Sequence, residues 1–264
     1  ADYEMDPEMT GDENLRPKIM QGLRQLPILS LVTDKDNLFS HANDEQTGGI
    51  YIFTGPPVGD ATGHGWTRPA SAELIGGPQG HDMQVDCGLR LHGGHGRLAE
   101  KNPKHSFRLV FKDEYGPGTL KYPIYGEEGV KKFNQLVLRC HFGNSWQHWG
   151  GARPKAQYTR DLWARKMQHR MGHPNVDGIH VHLFLNGMYW GLYNIAERVD
   201  DEYGKQHFGG KKSDYDVVKI EESNGNHHEA AEGDLEAWDE MIAVVGRAAD
   251  DAYYYRLQGL DEQG

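Results

Sequence analysis

The sequence predicts an α+β protein in which the strands come first and the helices later. Three observations carry that expectation. Short runs rich in aliphatic and aromatic residues, bounded by Gly, Pro or Asn, recur through the first 140 residues. An Asn186-Gly187 pair separates two longer β-rich runs, a strong short-range hairpin signal. Helical spacing of apolar residues appears only from residue 157 onward.

The first twenty-odd residues are acidic and weakly patterned, and we read 1–25 as an extended arm. The run 27-PILSLVT-33 reads as a buried strand and 49-GIYIF-53 as another, with Asp34, Asp36, Asn37 and Asn43 supplying turn chemistry between them. A Gly/Pro-rich loop covers 54–69. Four further strands follow at 70–76, 83–93, 105–112 and 134–140. In 105-HSFRLVFK-112, Phe107, Leu109 and Phe111 alternate with Arg108, Val110 and Lys112, the pattern of a half-buried strand with cations on one face. In the helix expected over 157–171, Trp163, Met167 and Met171 recur at helical spacing, and Gly172 with Pro174 ends it. The hairpin 179–185/188–199 comes next, then helix at 200–208, strand at 215–220 and an amphipathic helix at 233–249.

The charge is unevenly placed. The chain of 264 residues carries 28 Lys and Arg against 39 Asp and Glu, yet residues 90–170 hold 16 basic residues against 6 acidic ones. A cationic middle inside an acidic protein argues against general coating of nucleic acid and for a localised anion site. With 37% hydrophobic residues and a mean hydropathy of -0.74, the chain offers no apolar run near the roughly 20 residues that span a bilayer. Two cysteines, Cys87 and Cys140, fall in predicted strands as either one disulfide or two buried thiols. The first residues, ADYEMDPEM, contain no initiator Met and no signal peptide, and we read the chain as a piece of something longer.

The segment 89-LRLHGGHGRLAEKNPKHSFRLVFK-112 is the chief candidate for chemistry. Glycines 93, 94 and 96 let backbone amides approach an anion, and Arg90, Arg97, Lys101 and Lys104 add charge around them. A glycine loop followed by a lysine and a strand is also the layout of a kinase phosphate loop; a turn with a basic rim is the alternative. Asp161 is the single acid on the following helix, where it either pairs with the lysine or makes a surface pair with Arg165. His180 and His182 share one strand face, which suits a metal pair or a polar face. Trp146 and Trp149 either stack on sugar rings or plug a core edge.

The runs LPILSLVTD, GIYIF, GLRLHGGHGR, PKHSFRLVFK, FNQLVLR, YTRDLWARKMQHRMG, HLFLNGMYWGLYNIAERVD and DYDVVK, in this order, resemble the CotH family, surface-associated proteins with an atypical protein-kinase fold. The resemblance implies a strand-rich kinase-like lobe over residues 26–222, with 223–264 the helical start of an incomplete second lobe. It implies ATP and Mg²⁺ as cofactors, with Lys104 as the nucleotide-phosphate lysine and Arg108 on the same strand. Arg90 and the loop Gly93, Gly94, His95, Gly96 and Arg97 would lie over the phosphates. Asp161 would pair with the lysine, and Glu197 would sit near the interlobe hinge and the ribose. The acids that hold Mg²⁺ in the family lie in an Asp-Trp segment followed by paired asparagines, which has no match here, so they are expected beyond residue 264 and this piece alone is expected to be inactive. The phosphoacceptor would be Ser/Thr of a partner protein, in a secreted or surface-associated bacterial setting. The alternative is a non-catalytic surface-display or carbohydrate-associated module of the same fold.

Overall fold

The computed structural model describes residues 6–42, 44–51, 66–97, 101–146, 153–221, 227–245 and 251–257. Its elements, in chain order, begin with α1 (Pro7–Thr10), α2 (Arg16–Leu23), β1 (Ile28–Val32) and α3 (Lys35–Phe39). They continue through β2 (Arg68–Ile75), β3 (Met83–His92), β4 (Ser106–Val110), β5 (Leu120–Lys121), β6 (Lys132–Phe133) and β7 (Gln135–Arg139). Then come α4 (Arg160–Arg170), β8 (Gly178–Leu185), β9 (Met188–Glu197), α5 (Asp201–Phe208), β10 (Val217–Glu221), β11 (His227–Glu232), α6 (Glu236–Val245) and α7 (Asp251–Leu257). The mixture is α+β, as expected.

Seven strands close into a barrel in the order β1-β2-β3-β4-β7-β9-β8. Every neighbouring pair is antiparallel except β8 with β1, which closes the barrel in parallel. Period-two alternation decides what fills it. Leu29, Leu31, Leu74, Leu89, Phe107, Leu109, Leu138, Val181, Leu183, Tyr193 and Ile195 point inward and are almost wholly buried. The hairpin turn falls at Asn186 and Gly187, both with positive φ (49° and 82°), the twist that a two-residue turn between right-twisted strands requires.

Three expectations change. The N-terminal arm is not extended: it forms α1 and α2, and α2 is fastened to the barrel wall by His182, whose Nε2 donates to the Gly22 carbonyl (3.0 Å). In the run 49–53, Ile50 and Tyr51 form a turn rather than a strand; their amides bond to the Asn37 and Leu38 carbonyls of α3, and residues 52–53 lie outside the described residues. Burial drives this, since Ile50 is 2% exposed and Tyr51 packs its ring against Phe39, His105 and Trp190. Residues 227–232 form a strand paired with β10, where a helical stretch was expected. Cys87 and Cys140 are buried free thiols.

The chain forms two compact units, residues 1–198 and 199–264. The first is the barrel with α1–α4. In the second, α5 is capped by Asp200, which accepts from the Tyr203 amide (3.0 Å), and Lys212 pairs with Glu202 (3.0 Å) and Asp201 (3.6 Å). Its β10–β11 ribbon meets α6 through the rings of His228 and Trp238, 5.1 Å apart. Among the described residues no helix is long and apolar enough to cross a membrane.

Candidate functional site

The alternation that sends leucines into the barrel turns a set of cations onto its outer face. On β3 the outward residues include Arg90 and His92, on β4 Arg108, and on β7 Gln135 and Arg139; Arg198 follows the end of β9. Register then sets Arg90 directly opposite Arg108. Like charges in that relation are destabilising unless something of opposite sign is present. Arg108 donates to His92 Nδ1 (2.8 Å) and to Gln135 Oε1 (3.4 Å), and Arg198 donates to the same Gln135 oxygen (2.7 Å). Burial holds His92 neutral, with its pKa pushed down to about 3, and the charges of Arg108, Arg198, Arg139 and Arg90 all act in the same direction. Burial and Arg198 also lower the pKa of Arg90. Four guanidinium groups and a neutral imidazole therefore share one sheet face, a donor array suited to a multiply charged oxyanion.

The glycine loop leads off this face. Gly93 and Gly94 are exposed, while Arg97 is 2% exposed and turned into the protein. Gly96 packs beside the Phe142 ring, and its carbonyl accepts from His105 Nδ1 (3.0 Å). Lys104 is 8% exposed and does not reach Asp161. Its Nζ donates to the Leu192 carbonyl (2.7 Å) and lies over the rings of Tyr193 (4.5 Å) and Tyr158 (5.6 Å). Burial in this aromatic surround pushes its pKa down to about 8, with a small opposing influence from Cys140. Gly191, at φ +110°, makes the approach possible, because a β-carbon there would stand 3.0 Å from Nζ.

Asp161 belongs instead to the joint between α4 and the barrel. Its carboxylate pairs with Arg165 (2.8 Å) and with Arg139 of the cationic face (3.4 Å). Arg165 reaches down from α4 to Asn194 Oδ1 (2.9 Å) and to the Val176 carbonyl (2.8 Å), so the helix docks through polar contacts. Trp163 and Met171, whose spacing announced the helix, are 63% and 69% exposed. The helix begins at Arg160 rather than residue 157 because Tyr158 is occupied elsewhere: its carbonyl accepts from His180 and its ring meets His141 and Trp146.

Glu197 is buried at the end of β9, one residue before the first unit ends, and accepts from the Asp177 amide (3.1 Å). His180 and His182 share the outer face of β8 but are engaged separately, His180 with Tyr158 and a stacked His141 (ring centroids 5.4 Å), His182 with Tyr189 and Gly22. Among the described residues no group of three or more His, Cys, Asp or Glu could hold a metal ion. Trp149 lies outside the described residues.

Sequence reasoning singled out Arg90, Arg108 and Asp161 but passed over His92, Gln135, Arg139 and Arg198 as members of one cluster. The alternation in 83–92 and 135–139 is the signal that assigns them a common face; the strand order needed to bring those faces together is not written locally.

No curated protein matches the chain. The family model described as CotH kinase protein matches residues 89–258, well over half of its length. The match takes in the glycine loop, the cationic strands, α4 and the NGMYWGLYNIAERVD hairpin, and the chain belongs to the CotH kinase protein family.

Proposed function

We propose that the barrel is a nucleotide-holding lobe of a protein kinase, with the phosphates of ATP received on the outer face of β3, β4 and β7. The supporting observation is the convergence of Arg90, Arg108, Arg139 and Arg198 around a neutral His92, next to the exposed glycines of the 93–97 loop. ATP supplies the γ-phosphoryl group, and the family relationship points to Ser/Thr of a partner protein as the acceptor. Arg90 and Arg108 would neutralise phosphate oxygens, the amides of Gly93 and Gly94 would hydrogen-bond them, and Arg139, braced by Asp161, would tie the face to α4. Arg198, where the first unit ends, would complete the cationic face; Glu197, paired with the inward Leu136 and so on the opposite side of β9, takes no part in it. Among the described residues no group of three or more His, Cys, Asp or Glu could hold a metal ion, and each role above belongs to the chain's own residues. A secreted or surface-associated setting belongs to this reading through the family alone.

Calorimetric titration with ATP and with adenosine tests it. Binding of ATP but not adenosine, weakened about tenfold by Arg108→Gln with the fold intact, is the expected result; each charge-assisted contact carries roughly 1.5–3 kcal/mol. Absence of ATP binding would remove the kinase reading and leave a non-catalytic module of the same fold.

A further inference from the structure

We infer that Lys104 is a positioning residue rather than a phosphate contact: it is the strut that clamps the return arm of the glycine loop to β9. The inference rests on the nucleotide reading above. Every residue from 102 to 105 is tied down. Asn102 Oδ1 accepts from the Lys104 amide (3.0 Å), the Pro103 carbonyl accepts from Tyr51 OH (2.7 Å), and the His105 carbonyl accepts from Tyr193 OH (2.7 Å). The Lys104 ammonium completes the set through the Leu192 carbonyl, at a point where β9 runs past the end of its pairing with β7. It thus engages a β9 carbonyl beyond the end of the β7–β9 ladder. His105 passes the constraint across the loop by donating to the Gly96 carbonyl (3.0 Å).

The walls of the cage are shaped for this position. Tyr193 and Tyr158 present ring faces to the ammonium, which attract a cation without supplying a counter-charge. Gly191 leaves room for it, and a side chain there would both meet Nζ and strain the positive φ. The most distinctive hairpin of the sequence, YWGLYN, and the PKH segment some ninety residues earlier are two halves of one clamp. Desolvation makes the ammonium costly here, with the pKa down at about 8, which argues that the contact is retained for loop geometry and not for stability.

The test uses the full 264-residue chain with Lys104→Met, which keeps the stem and removes the donor, and with Gly191→Ala, which invades the cage from the opposite wall. Amide hydrogen exchange at Gly94, Gly96 and Arg97 is expected to accelerate tenfold or more in both variants, with the β2 and β8 amides unchanged. ATP affinity should fall about tenfold in Lys104→Met while keeping the wild-type salt dependence; Arg108→Gln should flatten that dependence, because only it removes a charge facing the phosphates. Unchanged exchange in the loop overturns the strut. So does a flattened salt dependence in Lys104→Met, which would mean direct contact, or an ATP affinity that ignores the loosened loop. If the wild-type chain binds no ATP, the nucleotide reading fails on its own and the exchange measurement still decides the strut. Lys104→Gln serves as the second variant if Lys104→Met does not fold.

Discussion

On the outer face of β3, β4 and β7, four guanidinium groups share a histidine and a glutamine; elsewhere in the same unit, one ammonium lies over two tyrosine rings. Both regions are cationic, and apart from Arg198 their cations come from the same basic stretch, residues 90–170. They differ in what satisfies the charge. Arg108 and Arg198 are held by the neutral side chains of His92 and Gln135, and Arg139 by the Asp161 carboxylate, so their donors converge on one outer face. Lys104 is spent on a backbone carbonyl, so its charge is used inside the protein. A cation near a glycine loop therefore says little about phosphate binding until its partner is known.

The comparison can be broken or sharpened by four measurements. The largest effect is expected from Arg90→Gln combined with Arg108→Gln, which should weaken ATP binding about a hundredfold by calorimetry, since two charge-assisted contacts are removed. Thermal stability of that variant should hold or rise as the opposed pair is relieved; a matching loss of stability would reassign these arginines to structure. Next comes Arg165→Leu, whose side chain is 12% exposed and which leaves Asn194 and the Val176 carbonyl short of a donor. Urea unfolding should show a loss of about 2 kcal/mol.

Acid should act on the arginine face through His92 and on its margin through His141. Their folded pKa values lie near 3 and 4, below the ordinary 6.5. Between those values and 6.5 the unfolded chain binds protons that the fold refuses, so stability is complete above pH 6.5 and declines as pH falls toward 4 and then 3. His92→Gln should make the midpoint of urea unfolding less dependent on pH in that range. The smallest effect belongs to Lys104, and it has the opposite placement. Its folded pKa is about 8 against 10.5 unfolded, so the burial penalty is complete below pH 8 and lifts as pH rises from 8 to 10.5. Stability in wild type should climb over that interval, and the climb should be missing in Lys104→Met.

Much of the barrel was legible. Alternation over 83–92 and 106–110, the Asn186-Gly187 turn and the Gly172 stop each state their structure within a few residues, because period, turn chemistry and breakers are local properties. Failures fell where burial overrode local pattern. Ile50 and Tyr51 have strand-like side chains, yet the core needed a plug beside α3 and not another ladder. Asp161 was visible as the one acid on its helix, and its pairing with Arg165 at i+4 was available as an alternative; its link to Arg139 was not, since that depends on where α4 docks.

What the sequence by itself determined, then, is a strand-first α+β chain, a cationic middle, and a family membership carried by ordered motifs. Only the tertiary structure decided which cations meet. Barrel closure places β4 between β3 and β7, and β7 between β4 and β9, which gathers arginines from residues 90, 108, 139 and 198 onto one face. The same closure carries Leu192 and Gly191 to Lys104 across 88 residues of chain. Side-chain alternation is set every two residues, but strand order is set by how the whole core packs, and the site is a property of strand order.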